Sequence, residues 1–394
     1  MNKRQLLAIT GAVALVCGLL SLSGASADDK SSSNQENSRS SNNAEEFKGS
    51  GTRSHGHPVA NLTETPAAGS KQSSDVSVGN DDQNSESNWQ KWNKANEASD
   101  KKNAGNAKTI GSTASSPISF HAGGVIGVYS GPVQIIPIWV GAWSDAVRKS
   151  KWNAVLGNLI TSLGGAGDIA TPNHLFTTNA LYFTTRNAVT TKLTWTALNS
   201  QSSIAANLRS ASGGIVPVTD ADVVTYINRA LTTKVVSAPA TGTRAIYVYI
   251  GGSDTRLSSG FGNLYCGWHT YGTLGTRNIP YIAVQDFTST YGNACAAQTI
   301  SPNGDFQLDA VASILVHEID EAITDPDLRT WYDSRGAENA DKCAWTFGIT
   351  SMTGLAKYNF STPNYKYLIQ RNWLADNKVA DPIAGTACVV TSPK

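Results

Sequence analysis

Residues Leu315 to Pro326 read LVHEIDEAITDP, an apolar stretch into which a histidine and two glutamates are set at metal-site spacing. Projecting Leu308 to Ile323 at about 100° per residue gathers Leu308, Val311, Leu315, Ile319 and Ala322 on one face, with His317, Asp320 and Glu321 opposite. The run FQLDAVASILVHEIDEAI therefore predicts an amphipathic helix, stopped soon after Asp325 by Pro326. Its polar side has two readings. A face carrying Asp320, Glu321, Asp325 and Asp327 can be an ordinary solvated one. Alternatively, His317 and Glu321, four residues apart, point the same way one turn apart and can hold one ion together.

On the second reading Glu318 takes the flank, where the glutamate of an H-E-x-x-H helix acts as general base on water activated by a metal. Here the fifth residue is glutamate, giving H-E-x-x-E. A carboxylate is an acceptable zinc ligand, but losing one imidazole weakens the zinc signature and brings calcium, manganese or no metal into play. A third ligand is needed. GAENADKCAW supplies Glu338 and Asp341, 17 and 20 residues beyond Glu321, and His269 in LYCGWHTYG is the alternative imidazole. Asn303 to Asp305 with Asp309 has some calcium-loop chemistry but lacks the other ligands, and reads as a turn plus helix N-cap. No G-x-S-x-G, P-loop or G-x-G-x-x-G follows a strand, which excludes the usual serine-hydrolase, NTPase and dinucleotide arrangements.

Working outward, strands are expected in GGVIGVYSGPVQIIPIWVG, meeting as a hairpin at Gly131-Pro132, and in LYFTTRNAVTTKLTWTAL, RAIYVYIGG and NIPYIAVQDF, with LYCGWHTYG as a loop between the last two. SDAVRKSKWNAVLGNLITSLGG reads as a helix capped by Ser144, and TDADVVTYINRAL as another opened by Thr219 with Asp222 in the capping-box place. YKYLIQRNW and TACVVTS return to strand. The mixture lacks a regular βαβ rhythm, so the expected class is α+β, with a mixed or antiparallel sheet, in one domain over residues 118–394.

Before that domain, Lys3 and Arg4 precede the apolar run Leu6 to Leu20, and Ala25-Ser26-Ala27 offers a cleavage site, so residues 1–27 read as a secretory signal peptide removed with Cys17. Residues 28–117 are polar, low in aliphatic clusters and expected to be disordered; Trp89, Trp92, His55 and His57 read as linker residues. The formal net charge of +1, spread without blocks, gives no footprint for nucleic acid, and no stable membrane insertion is expected once the signal is gone. Cys266, Cys295, Cys343 and Cys388 remain, an even number in a secreted chain, and sequence proximity suggests Cys266 with Cys295 and Cys343 with Cys388. Asn61 and Asn359 open glycosylation sequons. The 10 Trp and 13 Tyr are read as core, with an aromatic glycan-binding face as the alternative.

GGVIGVYSGPVQIIPIWVG, LYCGWHTYG, NGDFQLDAVASILVHEIDEAITDPDLRTWYD, ENADKCAW and YLIQRNW, in that order, resemble the EXORDIUM or phosphate-induced protein family. The likeness spans most of Ser119 to Val390; the polar leader and the stretch from Thr171 to Val218 do not match. It implies an extracellular or cell-wall-associated protein linked to growth and to carbon or phosphate status, and it makes His317, Glu318 and Glu321 a family feature. Two functions of different class follow. One is a zinc-dependent hydrolase of the peptidase type, with His317, Glu321 and either Glu338 or Asp341 as ligands and Glu318 as base. The other is a non-catalytic cell-surface or wall protein that binds glycan or protein and acts in growth or nutrient-status signalling. On either reading the chain is expected to be a monomer whose partner is a peptide or cell-wall glycan.

Overall fold

Three nearly unbroken apolar runs, VQIIPIWV, RAIYVYIG and RNIPYIAVQ, lie side by side at the centre of one sheet. The computed structural model describes residues 45–50, 57–58, 118–143, 145–163, 182–184, 187–188, 193–196, 203–204, 214–258, 260–262, 265–287, 293–333, 336–347, 350–373 and 388–389. The expected signal peptide, Trp89, Trp92, His55 and Asn61 lie outside them. In chain order the sheet's strands are β1 (Phe47–Gly49), β2 (His57–Pro58), β3 (Val133–Val140), β4 (Leu193–Trp195), β5 (Ser203–Ile204), β6 (Arg244–Gly251), β7 (Tyr265–Leu274) and β8 (Arg277–Gln285). The hydrogen-bonded order is β1-β7-β8-β6-β3-β4, with β2 also on β7 and β5 also on β3.

The sheet is mixed, as expected, and its middle is parallel: β8, β6, β3 and β4 run one way, while β7 is antiparallel to β8 and both leader strands are antiparallel to β7. Parallel strands are covered on both faces, so their sequences run apolar throughout instead of alternating. The helices supply that cover. They are α1 (Ala146–Leu163), α2 (Asp220–Thr232) and α3 (Phe306–Thr324). Tyr226 and Val224 of α2 meet Tyr249 of β6 and the edge strand at Gly49, whereas Ile314 of α3 meets Gly267 and Val284 on the other face.

Local chemistry sets the boundaries. Thr219 and Asp222 form the reciprocal capping box that the sequence suggests for α2. At the start of α1, Asp145 Oδ1 accepts from Val147 N at 2.9 Å and Arg148 N at 3.0 Å; Ser144, the expected cap, lies outside the described residues. LYCGWHTYG is strand β7 instead of a loop, turned into β8 by Gly275-Thr276 with Gly275 at φ +59°. The hairpin expected at Gly131-Pro132 does not form. Instead, residues 123–131 wrap the C-terminal end of α3: Ile126 N donates to Asp327 Oδ2 at 3.1 Å and Tyr129 N to Ile323 O at 2.8 Å. Gly127 at φ +69° and Gly131 at φ +78° permit that irregular path. Asn359 is no open sequon: 5% exposed, it donates to Phe347 O and Ile369 O at 2.8 and 2.6 Å and accepts from Ile369 N at 2.9 Å.

The segment expected to be disordered contributes β1 and β2. Phe47 is buried edge-on against Tyr247 and Tyr281, and its backbone makes two 2.6 Å hydrogen bonds with the Asn228 side-chain amide. A Cβ on Gly272 would fall 2.3 Å from the Phe47 ring, so a glycine is needed opposite it. Replacing Phe47 by Ala should weaken this docking by about 3–5 kcal/mol, detected as new limited-proteolysis cuts within residues 45–50 while the body remains folded.

In the first turn of α3, Asp309 receives hydrogen bonds from Ser301 Oγ and from Asn303 Nδ2, the latter at 2.6 Å. Burial nevertheless raises its carboxyl from 3.8 to about 6. The folded chain thus binds more protons than the unfolded one across that window, and this contribution to stability is lost as pH rises through it. Thermal melts should show Asp309→Asn gaining stability relative to the parent between pH 4 and 7; a pH-independent difference would contradict the assignment.

Candidate metal centre

Helix α3 is fixed at both ends before its side chains matter. Asp305 caps it, accepting from Leu308 N at 3.1 Å and from Trp152 Nε1 of α1 at 2.9 Å. Arg148 ties the same corner together. Its guanidinium pairs with Asp286 at the end of β8, lies 3.4 Å from Asp305 and stacks 4.8 Å from the Trp152 ring. At the C-terminus, Asp325 Oδ1 accepts from Arg329 N and Thr330 N, both at 2.6 Å, which turns the chain sharply after the T-D-P. Asn303, Asp305 and Asp309 therefore serve as turn and cap, as read from the sequence.

From Leu308 to Thr324 every residue of α3 is buried, which removes the solvated-face reading. His317 is 2% exposed, Glu318 and Glu321 0%, and Asp320 1%. Ionisable groups withdrawn from water in this way need partners. Two other pieces of chain bring them. Strand β7 brings His269, which is wholly buried, and the short turn Asp341–Cys343 with the loop just before it brings Asp341 and Glu338. All five ligand candidates meet, together with the base candidate Glu318.

His317 Nε2 lies 3.2 Å from Glu321 Oε1 and 3.5 Å from Asp341 Oδ1. His269 Nδ1 lies 3.3 Å from Glu318 Oε2 and 3.5 Å from Glu321 Oε2, and its Nε2 is 3.5 Å from Glu338 Oε1. Asp341 N donates to Glu321 Oε1 at 3.0 Å. Charge-assisted hydrogen bonds close to about 2.7–2.9 Å, so these imidazole–carboxylate contacts are long. Around His317 Nε2 they are close instead to the ligand-to-ligand edges of a tetrahedron with metal bonds of about 2.0–2.2 Å, which are about 3.3–3.6 Å; around His269 they fall on opposite ring nitrogens, Nδ1 toward Glu321 and Nε2 toward Glu338. Two sets of three, His317/Glu321/Asp341 and His269/Glu321/Glu338, have ligand atoms all within 4.8 Å of one another.

Electrostatics reflects the crowding. Burial opposes charge on both imidazoles, but Glu338, Glu318 and Glu321 around His269, and Glu321 and Asp341 around His317, outweigh it and hold both well above the usual histidine range. Burial pushes Glu338 well up and Glu318 up. For Glu321 the two imidazoles overcome burial and keep the carboxyl below its ordinary range.

Three supporting contacts escaped the sequence reading. Gly267 lets helix and strand approach: a Cβ there would sit 2.6 Å from Ile314 Cγ2 and 3.2 Å from Glu318 Oε1. Asn339, fully buried, donates to Asp320 O at 3.5 Å and accepts Trp373 N on its carbonyl at 3.1 Å, which positions the loop between Glu338 and Asp341. The Asp325 carbonyl lies 3.4 Å from His269 Nε2. Only Gly267, two residues before a candidate histidine in a strand-like run, left a signal of close backbone approach. The Cys266–Cys295 bridge forms as expected and anchors the start of β7. Cys343 is also disulfide-bonded, and Cys388, its expected partner, lies in a strand paired with Trp373; its side chain is outside the described residues.

Fold and site together define a mixed-sheet α+β protein whose longest helix carries a buried histidine–carboxylate centre. The chain belongs to the phosphate-induced protein family, whose Phosphate-induced protein 1 conserved region matches residues 118–364. Protein EXORDIUM-like 3 of Arabidopsis thaliana is 24% identical over 292 residues, 67% of this chain and 82% of that protein. No solved structure matches the chain. No helix among the described residues is long and apolar enough to cross a membrane.

The tight crossing at Gly267 gives a direct check of the geometry. Gly267→Ala must push α3 away from β7 and should lower stability by about 1–3 kcal/mol; an unchanged denaturation midpoint would contradict the packing described.

Proposed function

We propose that this chain is a secreted, cell-wall-associated metalloprotein of the EXORDIUM type whose α3 centre binds zinc and hydrolyses a peptide or cell-wall glycan bond. The observation that carries the reading is the convergence of His317, Glu321, His269, Glu338 and Asp341 from three stretches of chain on one buried spot, with His317 Nε2 3.2 Å from Glu321 and 3.5 Å from Asp341. The signal-like residues 1–27, the disulfides and the family support the extracellular location.

Zinc at such a site supplies Lewis acidity and lowers the pKa of water to about 7. His317, Glu321 and Asp341 would hold the ion. Glu318 takes the proton: its Oε2 is steadied by His269, and burial raises its affinity for a proton, as a general base near neutrality needs. Glu338 sits at the far nitrogen of His269 and fixes that ring.

A second reading has its own support. The centre is fully covered, and β2 pairs with Gly267 directly beside Glu318, so a structural ion in a non-catalytic glycan- or protein-binding wall protein also fits. Elemental analysis and turnover separate the two. The purified chain should carry zinc that His317→Ala loses, and Glu318→Gln should keep the metal while hydrolysis falls by 100-fold or more. Full turnover in Glu318→Gln would remove the base, and metal without any turnover in the parent would establish the structural reading.

A further inference from the structure

The two ligand sets share one residue, and they divide its atoms between them. Glu321 Oε1 faces His317 Nε2 at 3.2 Å, while Oε2 faces His269 Nδ1 at 3.5 Å. Asp341 completes the first set; Glu338, whose Oε1 lies 3.5 Å from the other nitrogen of His269, completes the second, one ligand atom from each residue falling within 4.8 Å of the others. We propose that the centre holds two divalent transition-metal ions, zinc or manganese, bridged by the Glu321 carboxylate. This rests on the metal-centre reading above and goes beyond it in the number of ions and in the role given to His269 and Glu338.

Three observations carry the second ion. The first is the opposed aim of the Glu321 oxygens, the arrangement by which a carboxylate spans ions about 3.5–4 Å apart. The second is unmet bonding capacity on the His269 side: Glu321 Oε2 and Glu338 Oε1 are buried and accept no hydrogen bond among the described residues. An ion confined to His317, Glu321 Oε1 and Asp341 would leave both oxygens as they are. The third is the number of donors. Glu318, Glu321, Glu338 and Asp341 bring four carboxyl groups, and His317 and His269 two imidazoles, to one buried spot, more donors than a single tetrahedral ion takes up. Each ion would have one imidazole and two carboxylate oxygens, a donor set suited to zinc and tolerated by manganese.

The test uses the full chain loaded with Mn²⁺ and freed of excess by dialysis. The expected result is two manganese ions per chain, with a spin-coupled electron paramagnetic resonance spectrum. Glu338→Gln and Asp341→Asn should each retain one ion, with the isolated-ion spectrum. One ion per chain in the parent, showing that isolated spectrum, would overturn the pair while leaving a single-metal centre in place. No bound ion in the parent, with Mn²⁺ or with Zn²⁺, would overturn both. Because the parent spectrum at full loading decides between coupled and isolated ions, the test holds even where a variant fails to fold.

Discussion

A carboxylate taken out of water costs several kcal/mol unless partners replace the solvent, and α3 carries Glu318 and Glu321 at 0% exposure with His317 beside them. That cost constrains everything packed around the helix. Strand β7 must run close enough to deliver His269, which requires a glycine at 267. The chain after the helix must double back within 17 residues to deliver Glu338, then Asp341. These elements converge because the polar face would otherwise be left buried and unmatched. A helix that is apolar on one side and satisfied by two other segments on the other side can be covered all round.

The frame that holds this arrangement is built from ordinary devices at the ends of α3. Asp305 and Arg148 join its N-terminus to α1 and to the end of β8, while Asp325 and Asp327 fold the following turn against the helix and capture residues 125–126. The Cys266–Cys295 bridge secures the strand that carries His269. Acidic residues near the helix thus divide into two groups: those satisfied by backbone donors, which shape the chain, and those facing imidazoles, which form the centre. Both groups look alike as letters in a sequence.

The same contrast appears in the sheet. Apolar runs such as RAIYVYIGG were legible as strands, but their neighbours were not. A fully buried parallel strand has no alternation to show which face is inside, and pairing partners more than 100 residues apart, such as Arg244 with Val133, leave no local mark. Phe47 went unread for the opposite reason. One aromatic residue in a polar tract does not change its composition, yet the pairing with β7 and the amide of Asn228 suffice to hold it.

The sequence by itself determined the helix, its stop at Pro326, the caps of α2 and α3, the apolar strands, the Cys266–Cys295 bridge and the short set of residues able to bind a metal. Each follows from spacing, side-chain chemistry or sequence proximity, and so is written locally. Whether the polar face of HEIDE met water or ligands was left open, as were the choice among Glu338, Asp341 and His269 and the parallel order of the strands. Only the tertiary structure decided them, because burial and convergence depend on which distant segments pack together. It brought all three residues to Glu321 where the sequence had asked for one.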